Sequence, residues 1–360
     1  MPDEVRKDYY VPLFNISIDG KKLEYDIAKD IINVTYEDKL NAADIFSFTL
    51  WVRHEKPEYF HSNKLTRIDS ELFDEGGGVE IKIGYSNDLH TMVVGEITAL
   101  EPVFSQDGIA TLTVRGQNRY HRLRRERRRR PFLDMSDSQI AAQIAREMNL
   151  TPDVDHTDER YSYVYQNNQN NIHFLKHRAA SINYEVWVTD RTLHFKKSGS
   201  GQRKLYVLEW GKTLRSFSPR LNTFNQLSKV IVKGYNLQEK ELIGIAKNGD
   251  EITKMGGKRT GAQAVEDAYD SDAEFAIVDR PVRSQHEAEE MAKAKYNKTT
   301  MDYITGSGTC IGTPEVRTGK IIELKGMGKR FSGLYYITSS KHTINDTGYL
   351  TKFEVKRNAA

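Results

Sequence analysis

A chain of 360 residues, 38% hydrophobic and 29% charged, is long enough for two or three domains with real cores. Its formal charge is only +3, while residues 119–130 alone hold eight arginines and one glutamate, so the remainder is net acidic and no overall basic field steers a polyanion toward it. Cys310 is the only cysteine, which excludes a disulfide framework and a cysteine-based zinc site, and no apolar run approaches the ~18 residues of a membrane span.

The N-terminal stretch "MPDEVRKDYYVPLF" lacks the charged, apolar and small-residue regions of a signal peptide. Short strands follow. "FNISIDGKKL" alternates Phe14, Ile16 and Ile18 and turns at Asp19-Gly20, a hairpin signal. "IFSFTLWV" (45–52) is aromatic and β-branched, and "VEIKIGY" (79–85) alternates after the opening turn Gly76-Gly77-Gly78. "MVVGEITALEPVF" and "IATLTVRG" complete this region, joined through Gln106-Asp107-Gly108. Strands at this spacing predict a compact barrel or sandwich.

After Gly116 the pattern changes. "SDSQIAAQIAREMNL" (136–150) predicts a helix with a Ser136/Gln139 capping box and an apolar face of Ile140, Ile144 and Met148. "NNIHFLKHRAASINY" predicts a second helix, capped by Asn170 or Asn171, with Asn183 at the left-handed position after its end. A hairpin over 185–195 turns at Asp190. "SGSGQ" (198–202) reads as a linker, and "QLSKVIVKGYN" (226–236) returns to strand. A long polar, Gly-rich excursion is expected over about 238–280, then a helix over 284–297 capped by Ser284 and Glu287. Three strands close the chain, in "GKIIELKGMG", "GLYYITSSKHT" and "GYLTKFEVKRN".

The two strand regions rhyme. Residues 79–85 lead to Val93–Thr98, an Asp107-Gly108 turn and Leu112–Arg115; residues 320–325 lead to Gly333–Thr338, an Asp346-Thr347-Gly348 turn and Phe353–Lys356. A duplication accounts for this, and would let three chains present six similar units.

Motifs for chemistry are sparse. His173 and His177 stand four apart on a predicted helix but lack a glutamate partner and a third ligand. Gly306-Ser307-Gly308 and Gly326-Met327-Gly328 read as β-turns rather than phosphate cradles, and no serine occupies a G-x-S-x-G elbow. The expectation is a non-enzyme with no cofactor, no metal and no catalytic residue.

The last forty residues carry a resemblance. Gly319, Gly326, Gly328, Phe331, Gly333, Tyr336, His342, Gly348, Tyr349, Phe353 and Arg357 match the C-terminal pattern of the phage late control gene D family, related to VgrG-like hubs. "RGQNRYHRLRRERRRRPFLDMSDSQIAAQIA" resembles that family's glycine, arginine-run and capped-helix junction. "YQNNQNNIHFLKHRAASINYEVWVTDRTLHF" resembles its following segment, with Asn171 and Asn183 in place of the usual Asp and Gly.

The resemblance implies a mainly β chain with α+β insertions, assembling as a pseudo-sixfold homotrimer. Its parts would be a first tube-like β-barrel domain over 1–117, a smaller α+β insertion domain over 118–203 and a second tube-like β-barrel domain over 204–360. It implies a structural baseplate hub of a contractile tail, in a phage, a tailocin or an extracellular contractile injection system. Such a hub adapts a hexameric tail tube above to a separate trimeric spike below, with baseplate wedge or LysM-type proteins as further neighbours. It would be assembled in the bacterial cytoplasm and then carried in the particle, with no membrane contact at rest and no specific nucleic acid. No OB-like or β-helical segment follows the last strand, so the spike is expected to be another polypeptide.

The run itself, Arg122, Arg124, Arg125, Arg127, Arg128, Arg129 and Arg130, is read as a basic seam. Arginine's planar fork suits carboxylates on a neighbouring subunit or on the adjoining domain. A solvated charged segment is the plainer alternative. The rival functions are a nucleic-acid-binding module using Arg119–Arg130 and a tail-associated cell-wall hydrolase.

Overall fold

The computed structural model describes residues 11–52, 68, 70–86, 88–106, 110–199, 204–236, 240–250, 255, 257, 259–269 and 273–360. The expected turn at Asp107-Gly108 and most of the 198–202 linker lie outside these residues.

The first stretch gives β1 (Pro12–Ile18), β2 (Lys21–Lys22), the short α1 (Tyr25–Ala28), β3 (Ile31–Lys39), β4 (Ile45–Val52), β5 (Gly78–Tyr85), β6 (Asp88–Phe104) and β7 (Ala110–Asn118). Asp19 (φ 48°) and Gly20 (φ 78°) are both left-handed, the geometry a two-residue hairpin needs to match strand twist. Phe46, Phe48, Leu50 and Val52 alternate onto the buried face of β4 and pack with Val34, Tyr36, Ile81, Leu112 and Val114.

The middle stretch opens with a 3-10 turn (Arg119–Arg124) and continues as β8 (Arg127–Ser136), α2 (Asp137–Glu147), β9 (Thr151–Val154), β10 (Arg160–Asn170), α3 (Asn171–Ser181), β11 (Tyr184–Thr189) and β12 (Thr192–Lys197). α2 carries the full Ser136/Gln139 capping box. α3 starts at Asn170, whose side chain accepts from the His173 N–H at 2.8 Å, and Asn183 beyond its end is left-handed at φ 55°. Ile140, Ile144, Leu175, Val186, Leu193 and Phe195 form a separate core here.

The last stretch holds β13 (Lys204–Glu209), β14 (Leu214–Leu221), β15 (Lys229–Asn236), β16 (Lys240–Lys247), α4 (Gly261–Tyr269), β17 (Glu274–Ile277), α5 (Gln285–Thr300), β18 (Ile304–Ile311), β19 (Ile321–Lys325), α6 (Gly328–Phe331), β20 (Gly333–Asn345) and β21 (Gly348–Arg357). The expected excursion over 238–280 is therefore corrected in its described parts. β16 pairs with β15 and alternates buried Leu242 and Ala246 with exposed Ile243 and Ile245, while α4 and β17 occupy its second half. The helix expected over 284–297 runs to Thr300; Ser284 accepts from the Glu287 N–H, and Glu287 accepts from the Arg283 N–H instead of from Ser284.

One sheet joins the first and last stretches, in the order β14-β18-β21-β20-β3-β4-β7-β6-β5-β1-β2, with β19 on β20 and β13 parallel to β19. Within it the run β3-β4-β7-β6-β5 is repeated strand for strand by β14-β18-β21-β20-β19, every pairing antiparallel. The irregularities repeat as well. The β6–β7 ladder skips Thr98 between Ile97 and Ala99, and the β20–β21 ladder skips Thr338 between Ile337 and Ser339. The β3–β4 ladder skips Ile32, and the β14–β18 ladder skips Arg215. A bulge placed alike in two ladders fixes the alignment to the residue.

Gly306-Ser307-Gly308 departs from expectation: it lies inside β18 rather than in a turn. Added Cβ atoms would come within 2.7 Å of the Phe217 ring at Gly306 and 2.5 Å of the Phe353 ring at Gly308, so these glycines admit aromatic rings against the backbone.

Candidate assembly interface and the seam between strand sets

The arginine run divides by secondary structure. In the 3-10 turn, the buried Glu96 of β6 gathers three side chains. Arg122 donates to it from Nε at 2.9 Å and from Nη2 at 2.6 Å, Arg119 Nε lies at 3.2 Å, and His121 Nε2 at 3.0 Å. Burial alone would raise the Glu96 pKa, but the hydrogen bonds and charges of Arg122 and His121 outweigh it and hold the carboxyl below its usual range. The turn is thereby fastened to the first strand set.

The rest of the run is a strand. Along β8, Arg128, Arg130 and Phe132 lie on one face. Arg128 reaches Glu147 of α2 at 3.1 Å and Glu126 at 3.0 Å. Arg130 also pairs with Glu147, donates to Gln166 at 2.9 Å and stacks 4.8 Å from the Phe132 ring centroid. Arg127, Arg129 and Leu133 are exposed on the opposite face, beside Tyr163 and Tyr165 of β10. Arg124 and Arg125 are exposed, and among the described residues no carboxylate pairs with Arg124, Arg125, Arg127 or Arg129. Serine at both Arg128 and Arg130 should cost about 2 kcal/mol in a urea melt by stranding Glu147 and Gln166. Serine at Arg127 and Arg129 should change stability by less than ~0.5 kcal/mol.

A second polar cluster lies where the strand sets meet, at the β3–β20 ladder, and nothing local in the sequence announces it. Asp38 accepts from Arg317 Nε at 2.8 Å, from Thr318 Oγ1 at 2.9 Å and from Ser340. Arg317 also donates to Tyr36 Oη and to the Met92 carbonyl, and its guanidinium stacks 4.5 Å from the Tyr36 ring centroid. Burial would raise the Asp38 pKa, but Arg317 and Ser340 keep it lowered. His342, fully buried, donates from Nε2 to the Val316 carbonyl at 3.0 Å, so Nδ1 is left to accept from Tyr349 Oη at 2.7 Å and Thr351 Oγ1 at 3.1 Å. Burial drives its pKa down to about 3, so it stays neutral. Two of the positions that carried the family resemblance, His342 and Tyr349, are thus internal fasteners.

The sequence pattern of a family described as the Alg8 N-terminal domain matches residues 10–346. The chain belongs to the Alg8 N-terminal domain family. No curated protein matches this family member significantly in sequence. Among solved structures it is similar to the 43 kDa tail protein of prophage MuSo2 from Shewanella oneidensis, with a TM-score of 0.71 and 13% identity over 96% of this chain and 98% of that one. It is also similar to a tail protein from Neisseria meningitidis MC58, with a TM-score of 0.68 and 13% identity over 97% of each chain. A third is the c3393 protein of E. coli, a type VI secretion system component described as structurally similar to the T4 bacteriophage tail proteins gp27 and gp5. Its TM-score is 0.61, with 12% identity over 96% of this chain and 77% of that one. At such identities the likeness is one of fold, and the fold is that of tail proteins.

In this Alg8 N-terminal domain family member, His173 and His177 line a cavity of about 400 Å³ together with Arg124, Lys176 and Tyr120. Among the described residues no group of three or more His, Cys, Asp or Glu side chains could hold a metal ion. No helix among them is long and apolar enough to cross a membrane.

Proposed function

We propose that this chain is a structural baseplate hub of a contractile tail or contractile injection system, of the late control gene D and VgrG-like kind. The observation that carries this reading is the internal repeat: two matching strand sets, fused in one sheet within a fold shared with tail proteins. Three such chains present six similar sets, so a homotrimer can face a hexameric tube on one rim and a separate trimeric spike on the other. The role is mechanical, with no reaction and no cofactor. In this reading 1–117 and 204–360 are the two tube-like barrels, and 118–203 is the smaller α+β domain that carries the exposed face of β8.

On that face Arg127 and Arg129, unpaired with any carboxylate among the described residues, offer guanidinium forks to carboxylates of a baseplate neighbour. The nucleic-acid reading loses support because Arg119, Arg122, Arg128 and Arg130 already hold Glu96, Glu126 and Glu147 within the chain. Assembly in the bacterial cytoplasm and delivery within the particle complete the proposal.

Electron microscopy and native mass spectrometry of the purified chain test it. A threefold ring that binds tube and spike proteins is the expected result. A persistent monomer that binds neither would sink the reading.

A further inference from the structure

The repeat assigns a specific contact between copies of the chain. We propose that the outer edge of β6, residues Ala99–Ser105, pairs antiparallel with the free edge of β14, residues Ser216–Asn222, of a second copy. This deepens the hub reading and rests on it.

Within one chain, the second half of β20 serves two neighbours. Residues Ser339–Asn345 pair with β21 on one side and with Asn33–Lys39 of β3 on the other. The matched bulges make Ile97 the counterpart of Ile337 and Ile32 the counterpart of Arg215. The equivalent of the β20 edge is then the second half of β6, and the equivalent of β3 is β14. Yet Ala99–Phe104 pair only with β7, and Ser216–Leu221 of β14 only with β18, among the described residues. Each chain therefore makes this junction once internally and, among the described residues, leaves its two halves open, one on β14 and one on the second half of β6. Open complementary halves on one chain make a head-to-tail contact, which forms a ring where the rotation between copies closes.

Carrying the β20–β3 register across gives definite partners. Ser340 opposite Asp38 becomes Leu100 opposite Leu221, and Ile344 opposite Val34 becomes Phe104 opposite Phe217. Lys341 opposite Glu37, an ion pair at 3.8 Å, becomes Glu101 opposite Arg220, again opposite charges but with the signs exchanged. Exposure fits an absent neighbour: Ile344 is 5% exposed, whereas its counterpart Phe104 is 64% exposed and the adjacent Val103 59%. Pro102 would stand opposite Pro219 at the equivalent of the hydrogen-bonded 342–36 position, where both rings face the partner strand, so the ladder must open at that step and the residues on either side carry the contact.

The Leu40 N–H donates to the Thr338 carbonyl at 2.9 Å, which makes 338 and 40 a hydrogen-bonded pair. Counting along the ladder, Thr343 and Thr35 form a non-hydrogen-bonded pair, as would Val103 and Ser218. Such pairs hold Cα atoms about 4.5 Å apart, within disulfide reach. Both sites are exposed, and the native Cys310 is buried.

Val103→Cys with Ser218→Cys, oxidised in the full chain, should give covalent multimers on a non-reducing gel. Neither single variant should do so, and the out-of-register pair Val103→Cys with Ser216→Cys should link much less. A wild-type chain that forms rings while the in-register pair fails to link, or links no better than the shifted pair, would overturn this edge assignment and leave the hub reading standing. A wild-type chain that stays monomeric and binds no tube or spike overturns both.

Discussion

Arg317→Met is expected to lower the unfolding free energy of the isolated chain by about 3 kcal/mol, read from urea denaturation with an unchanged slope. The substitution keeps most of the side-chain volume and removes the charge. Asp38, whose side chain is only 6% exposed, would then keep Thr318 and Ser340 as donors but lose its cation. A buried carboxylate stripped of its partner ordinarily costs 3–5 kcal/mol, and the two remaining donors place this case near the lower end, at about 3. Asp38→Asn in the same background should recover part of the loss, because the amide needs no counter-charge. A loss below about 1 kcal/mol would mean that the β3–β20 ladder holds the strand sets together without this cluster.

Gly116→Ala is expected to cost about 3 kcal/mol, the upper end of overpacking. Gly116 lies in β7, opposite Phe46 on β4 and Ile97 on β6. An added Cβ would sit 2.1 Å from the Phe46 ring and 2.3 Å from the Glu96 carbonyl. The ring could shift at some expense, but the carbonyl belongs to the ladder beside the Thr98 bulge and has nowhere to go. Phe46→Leu combined with Gly116→Ala should therefore rescue only partially. Thermal melts of the single and double variants measure this, and full rescue would show that the ring alone requires the glycine.

Much of the architecture was legible because its signals are local. Ser136 with Gln139, Asn170 with Asn183, and Ser284 are caps that work within one helical turn, and each lies where the expected helix begins or ends. The rhyme between Val93–Thr98 and Gly333–Thr338 survives as an aligned pair of bulged strands because hairpin order and spacing persist even where identity does not.

What was not legible depends on partners distant in the chain. β8 is a strand made of arginines on both faces, so the two-residue period that sorts Arg128 and Arg130 from Arg127 and Arg129 has no hydropathy contrast to reveal it. Gly306 and Gly308 look like turn residues until Phe217 and Phe353 arrive from other strands. The excursion after residue 236 hides β16, whose inward face is only Leu242, Gly244 and Ala246, with α5 close enough that Gly244 admits the Ala288 carbonyl. Asp38 and Arg317 are ordinary charged residues far apart in sequence, and only the fold makes them a pair.

The Lys341–Glu37 pair has a consequence for which copies can be mistaken for which. If the β6 edge of one chain met a β3 edge instead of β14, Glu101 would face Glu37. If a β20 edge met β14, Lys341 would face Arg220. Both errors set like charges opposite each other across a ladder, whereas the internal junction and the proposed intermolecular one each set opposites. Two nearly interchangeable edges on one polypeptide are an invitation to exchange strands between chains. The reversed signs make such an exchange repulsive, so alternation of first and second strand sets around a ring would be enforced by two charges of modest strength.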